Sequence, residues 1–68
     1  MNNIFGQRIK EIRQDKNLNQ RDFAKLINVT QGALCRWERG ENTPSIEILY
    51  QIANILNVSS DYLIGLEN

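Results

Sequence analysis

Asn28-Val29-Thr30 is the only connection between two short amphipathic stretches, and that brevity constrains the fold of this chain more than any other feature. Asn19 is a good N-cap, because its short side chain can accept a bond from a free amide in the first turn of a helix. Phe23, Ala24 and Ile27 then fall on one face, which predicts a helix over Gln20 to Ile27. Thr30 caps a second helix from Gln31 to about Arg39, with Leu34 and Trp37 on its inner side, and Gly40 ends it. Asn28 stands in the turn, where a left-handed backbone is commonly needed and Asn tolerates it better than any residue except Gly. Phe23, Ile27, Val29, Leu34 and Trp37 supply a shared apolar seam, and the small Ala24 lets the two helices cross closely. Such an arrangement makes one helix a brace for the other.

The same reading extends to both sides. Ile4, Phe5, Ile9 and Ile12 recur at helical spacing and predict a first helix from about Asn3 to Lys16, with Leu18 anchoring the loop that follows. After Glu41-Asn42-Thr43-Pro44, Ser45 can cap a helix to about Leu56, with Ile46, Leu49, Ala53 and Leu56 expected inward. Ser59 can cap a last short helix that ends near Gly65. Five helices and no strand signal give an all-α class, expected as a single domain over residues 1–68. A chain of 68 residues buries only about 60% of the surface its unfolded form exposes, so a deep active-site cavity is not expected. Hydrophobic residues at 41% and charged ones at 24% are ordinary for a folded globular domain.

Several functions are excluded by what the chain lacks. Histidine is absent and Cys35 is the only cysteine, which leaves neither an internal disulfide nor a structural zinc set, so no metal and no cofactor are expected. Without a histidine base, a glycine-rich phosphate loop or a paired-carboxylate cleft, an enzyme is not expected either. No segment approaches the roughly 20 apolar residues of a membrane span. Met1-Asn2-Asn3 does not begin a secretory signal, and the expected compartment is the cytoplasm.

A net charge of zero conceals a strong segregation. All eight basic residues precede Gly40, together with four acids, for +4; Glu41, Glu47, Asp61 and Glu67 follow with no basic residue, for −4. That asymmetry suggests a basic face for a polyanion and an acidic back, although a solvated charged helix produces similar runs.

With these elements placed, the chain resembles the Cro and C1-repressor type (XRE-like) helix-turn-helix regulators over nearly its whole length. The likeness lies in Ile9-Lys10-Glu11-Ile12-Arg13, Asn19-Gln20-Arg21-Asp22-Phe23-Ala24, Val29-Thr30-Gln31, Arg36-Trp37-Glu38-Arg39-Gly40, Pro44-Ser45 and Val58-Ser59-Ser60-Asp61-Tyr62-Leu63. It implies a compact five-helix, lambda-repressor-like DNA-binding domain whose motif, residues 20–40, puts the helix starting at Gln31 into the major groove. It also implies a nucleoid-associated transcriptional regulator, most simply a repressor bound as a homodimer to a palindromic operator in double-stranded DNA. An antitoxin or antagonist that uses the fold to bind a protein partner is the alternative.

The resemblance assigns roles residue by residue. Gln31 is the leading base reader, since its amide can pair bidentately with adenine. Arg36, on the same face, reaches either a guanine or a phosphate, and Cys35 is placed to touch a thymine methyl or to act as a redox thiol. Gly32 departs from the family, which usually has a side chain there; it either permits a closer backbone approach or is simply tolerated. Gln20, Thr30, Arg39, Asn42 and Thr43 are implied phosphate contacts, which position a protein without reading sequence. Arg13 and Glu38 resemble a partly buried ion pair, and the spacing of Trp37 makes it a core residue. Finally, Ile48 and Ile55 share a face that the expected inward set leaves over, and Tyr62, Ile64 and Leu66 add to the excess. Ile48, Ile55, Tyr62 and Leu66 either pack between the last two helices or form a dimer interface.

Overall fold

A computed structural model describes residues 3–67; Met1, Asn2 and Asn68, which the expectation of one domain over 1–68 includes, lie outside the described residues. Five α-helices follow in order: α1 (Ile4–Asp15), α2 (Gln20–Leu26), α3 (Gln31–Glu38), α4 (Ile46–Leu56) and α5 (Ser60–Ile64). Among the described residues there is no strand. Each helix falls within a residue or two of its expected bounds, the differences being cap positions such as Lys16, Ile27 and Arg39.

The boundaries are sharp because both ends of nearly every helix are chemically specified. Asn19, Thr30, Ser45 and Ser59 each stand in extended backbone and accept, through the side chain, an amide from the residue three further on. Each such cap satisfies an amide that the helix itself cannot, typically for about 1 kcal/mol. All five helices end on a left-handed residue: Asn17, Asn28, Gly40, Asn57 and Gly65. The amide after each of these reaches back to a carbonyl of the last turn, for example Val29 N to Ala24 O at 2.9 Å and Glu41 N to Arg36 O at 2.9 Å. Asn28 plays the part expected of it, and Asn17 and Asn57 repeat it.

Phe5, Ile9, Phe23, Ala24, Ile27, Leu34, Trp37, Ile52 and Leu63 are buried and form one core to which every helix contributes. Trp37 is a core residue as its spacing indicates, 5% exposed, and its ring meets that of Phe5 edge-on with centroids 5.6 Å apart. Helix α1 packs on α3 and α5, α2 on α3, and α4 on α5.

One inward expectation fails. Ile46 is 84% exposed, and the residue that α4 buries completely is Ile52. At 100° per residue Ile52 faces the core, Ile48, Leu49, Ala53 and Leu56 flank it, and Ile46 shares the outer face with Tyr50, itself 70% exposed.

Gly6 explains how closely α1 and α3 approach. A Cβ there would run into the carbonyl oxygen of Trp37 and the side chain of Asn3. The Asn3 amide in turn donates to the Glu38 carbonyl at 3.3 Å, so the start of α1 rests on the last turn of α3. Backbone cannot yield as a flexible side chain can, and overpacking of this kind commonly costs about 1–3 kcal/mol. Gly6→Ala is therefore expected to lower stability despite alanine's better helix propensity. Since 1 kcal/mol shifts the midpoint of a domain this small by roughly 4–8 °C, thermal unfolding followed by circular dichroism will show a clear drop in Tm. An unchanged or higher Tm would mean that the two helices separate at no cost.

Candidate nucleic-acid interface

Helix α3 divides into two faces. Leu34 and Trp37 are buried, whereas Gln31, Gly32, Arg36 and Arg39 are exposed along the opposite side, with Cys35 half-buried between them. The four residues expected to read bases thus lie on one outward stripe. Cys35 carries a free thiol. Thr30 caps the helix with its hydroxyl oxygen, which accepts the Ala33 amide at 3.1 Å, while its hydrogen stays available to an acceptor outside.

What holds this stripe outward is polar. Arg13 on α1 donates from Nε to Glu38 Oε2 at 2.8 Å and from Nη2 to Oε1 at 3.0 Å, the fork geometry that makes an Arg–carboxylate pair directional. The remaining Nη1 donates to the Leu18 carbonyl at 3.0 Å. The Glu38 side chain is 5% exposed and that of Arg13 14%, so the implied ion pair is present and largely withdrawn from water. Its hydrogen bonds from Arg13 to Glu38 hold the guanidinium above the ordinary arginine range, burial pulls the other way, and the carboxylate's charge adds to the rise. A raised pKa in the fold means that this contribution is complete at every pH below the ordinary arginine value. It is lost only as pH climbs through the raised value, far above physiological conditions.

Gln20 joins the same network. Its Nε2 donates to Glu38 Oε1 at 3.2 Å, which fixes the side chain at the start of α2 beside the ion pair. The sequence pattern did not reveal this structural part, because a glutamine opening a helix reads simply as exposed. Gln20, Arg21 and Gln31 line a shallow recess with Arg13 and Asn19, so the bracing helix and the outward stripe meet there. Arg21 was not among the expected contacts. Its only signal is a basic residue beside Gln20, and its contact with Asp22 is loose, 3.7 Å between exposed groups.

Past the end of α3, Arg39, Asn42 and Thr43 are exposed. Arg39 lies against Glu41, Nε to Oε2 at 3.0 Å, a surface pair of the kind that exchanges readily for another acid. On the far side, Ile55 and Leu66 are 42% and 73% exposed, while Ile48 and Tyr62 are half-buried against the core. The Tyr62 ring is covered by the Arg8 guanidinium, 4.2 Å from its centroid, so one of its faces is already occupied within the chain.

Two short helices crossing on a capped turn, with one helix presenting a polar face outward, define a helix-turn-helix unit. A family model described as helix-turn-helix matches residues 9–63. The chain is 37% identical to the HTH-type transcriptional regulator ImmR of Bacillus subtilis over 90% of its own length and 48% of that protein's. It is 38% identical to the uncharacterized HTH-type transcriptional regulator YazB of the same organism, covering 88% of this chain and 87% of YazB. In structure it is similar to the c2 repressor of Salmonella phage P22, crystallised in complex with a synthetic operator. That likeness has a TM-score of 0.79 at 33% identity and covers 88% of this chain and 91% of the other. The chain therefore belongs to the Cro/C1-type helix-turn-helix family, and it spans about half the length of ImmR.

The Arg13–Glu38 pair gives the most direct test of how the interface is held. Removing one partner of a buried pair commonly costs about 3–5 kcal/mol, which rivals all that a core below 70–80 residues supplies. Glu38→Ala is expected to lower Tm severely, and Glu38→Gln less so because its amide oxygen still accepts from Arg13. Thermal melts of both variants check this, and an unaltered Glu38→Ala melt would remove the pair from its structural role.

Proposed function

We propose that this chain is a sequence-specific DNA-binding transcriptional regulator, a repressor that sets α3 in the major groove of an operator and binds as a homodimer. The observation that carries the reading is the outward stripe of α3, Gln31, Gly32, Cys35 and Arg36, held away from the core by a buried ion pair at the other end of the helix. The operator complex of the similar P22 c2 repressor supports the choice of double-stranded DNA as partner.

In this reading Gln31 pairs with an adenine edge, and Cys35 lies against a thymine methyl. Gln20, Thr30, Arg39, Asn42 and Thr43 contact the backbone around the groove, with Arg21 added from the recess it shares with Gln20 and Gln31. One hydrogen of the Gln20 amide is engaged by Glu38 and the other is directed to phosphate, so Gln20 couples backbone contact to the support of α3. Arg39 exchanges its exposed carboxylate for a phosphate. Basic residues confined to the stretch before Gly40 steer that half toward DNA, while Glu47, Asp61 and Glu67 lie outside it and Glu41 pairs with Arg39.

The dimer face of this proposal is the end of α4 and the segment after α5. Ile55 and Leu66 form its exposed apolar part, flanked by Ile48 and Tyr62, and a two-fold repeat of the unit places two α3 helices about one helical turn of DNA apart. The proposed site of action is the nucleoid in the cytoplasm; no helix of the described residues is long and apolar enough to cross a membrane.

Selection of bound duplexes from random-sequence DNA, followed by titration across salt, tests the reading. A palindromic consensus is expected. Replacing Arg39 with Ala will weaken binding to consensus and random DNA alike and reduce the slope of log K against log salt by about 1, whereas Gln31→Ala will relax preference at one base pair of each half-site. Identical behaviour of the two variants on consensus and random DNA would refute the division of roles. Ile55→Asp is expected to leave Tm nearly unchanged and to abolish dimers in sedimentation; a variant that still assembles moves the interface elsewhere.

A further inference from the structure

Among the described residues, Arg36 is the one arginine with neither a charged nor an aromatic partner. Arg13 is bound by Glu38, Arg21 lies near Asp22, Arg39 pairs with Glu41, and Arg8 covers Tyr62 and donates to the Glu67 carbonyl at 3.2 Å. Arg36 instead lies along its own helix. A Cβ built on Gly32 would lie 3.6 Å from Arg36 Nη1, and apart from its chain neighbours and the backbone of its own helix no other heavy atom comes within 4 Å of it. The guanidinium is therefore folded back one turn, toward the start of α3, over the surface that a side chain at position 32 would cover. This direction is the natural one for a helical side chain, which leans toward the N-terminus and onto the residue four before it.

On the operator reading proposed above, we infer that Gly32 sets the specificity of α3 by leaving its place to Arg36, whose guanidinium reads a guanine in the groove. The glycine is not a gap in the reading surface. It removes a competing side chain from the first turn, the part of a recognition helix that lies closest to the base edges. An arginine reaching back along that turn lies over position 32, next in sequence to Gln31 on the exposed stripe, and on the operator reading that part of the stripe is the part in the groove, with Arg21 and Arg39 contacting phosphates outside it. The two N–H groups of a planar guanidinium match guanine O6 and N7 and no other base edge as well. Gln31 and Arg36 then read neighbouring bases from one turn of helix.

Position 32 and position 36 should consequently behave as one unit. The purified 68-residue chain and its variants are compared on duplexes selected from random DNA by the unaltered protein, alongside the same duplexes with each guanine replaced in turn. Arg36→Ala is expected to lose about 5- to 150-fold of discrimination at one guanine per half-site, the range of a good bidentate pair. Gly32→Ala keeps most of that discrimination, because a methyl at 3.6 Å makes ordinary contact with the guanidinium. Gly32→Leu, equally exposed and favourable to the helix, fills the space and loses the guanine preference as Arg36→Ala does, and the double variant loses no more than either. Melting temperatures at or above that of the unaltered chain show that these are not folding defects. A Gly32→Leu protein that still prefers the guanine, or an Arg36→Ala protein weakened equally on every sequence, overturns the inference and leaves operator binding intact. A chain that selects no sequence overturns the operator reading itself and the inference with it.

Discussion

Everything on the outward face of α3 depends on a carboxylate that has almost left the water. Glu38 sits at the last turn of the helix with its side chain 5% exposed, and three hydrogen bonds from Arg13 and Gln20 compensate its desolvation. Those donors come from α1 and from the first residue of α2, so one acid ties together the three helices that set the pose of the stripe. An apolar contact of similar area would bury as much surface without fixing direction. A forked guanidinium fixes both distance and rotation, which a helix with an exposed reading face needs and a purely greasy seam does not supply.

The backbone makes the same junction from the other side. Gly6 lets α1 lie against the Trp37 carbonyl, and Asn3 hydrogen-bonds the carbonyl of Glu38. The end of α3 is thus gripped through its side chain by Arg13 and through its main chain by the start of α1. Its beginning is set by the Thr30 cap, the short turn from α2, the burial of Leu34 and the packing of Ala33 against the core. The exposed residues at that end, Gln31 and Gly32, head the stripe proposed to meet DNA.

How much of this could be read from the residues follows from where the information is local. Capping chemistry is local: Asn19, Thr30, Ser45 and Ser59 announce their helices, and Asn28, Gly40 and Gly65 end theirs, so five elements are placed to within a residue or two. Asn17 and Asn57 use the same device and were legible in principle, since each is an asparagine just past a helical run. Long-range choices are not local. Ile46 looks as apolar as Ile52, and only the packing of α4 on α5 and the core decides that the first faces water. Gly6 is silent in sequence because its reason is the backbone of a helix some thirty residues away. The Arg13–Glu38 pair became visible through family likeness, whereas the third partner, Gln20, did not, because a contact residue and a supporting one look alike at the start of a helix.

That double duty bears on how the unit responds to a polyanion. On the proposed reading, a phosphate at the recess of Gln20, Arg21 and Gln31 meets an amide already oriented by Glu38, so less side-chain freedom is lost at that position on contact. Arg39 differs, because its partner Glu41 is exposed and would have to be exchanged, so a phosphate contact there would be more sensitive to salt and less exact in geometry. In that proposal the two ends of the stripe divide the work by the same physical criterion that separates buried from surface charge: a preorganised amide would fix register at one end, and a mobile cation would add attraction at the other.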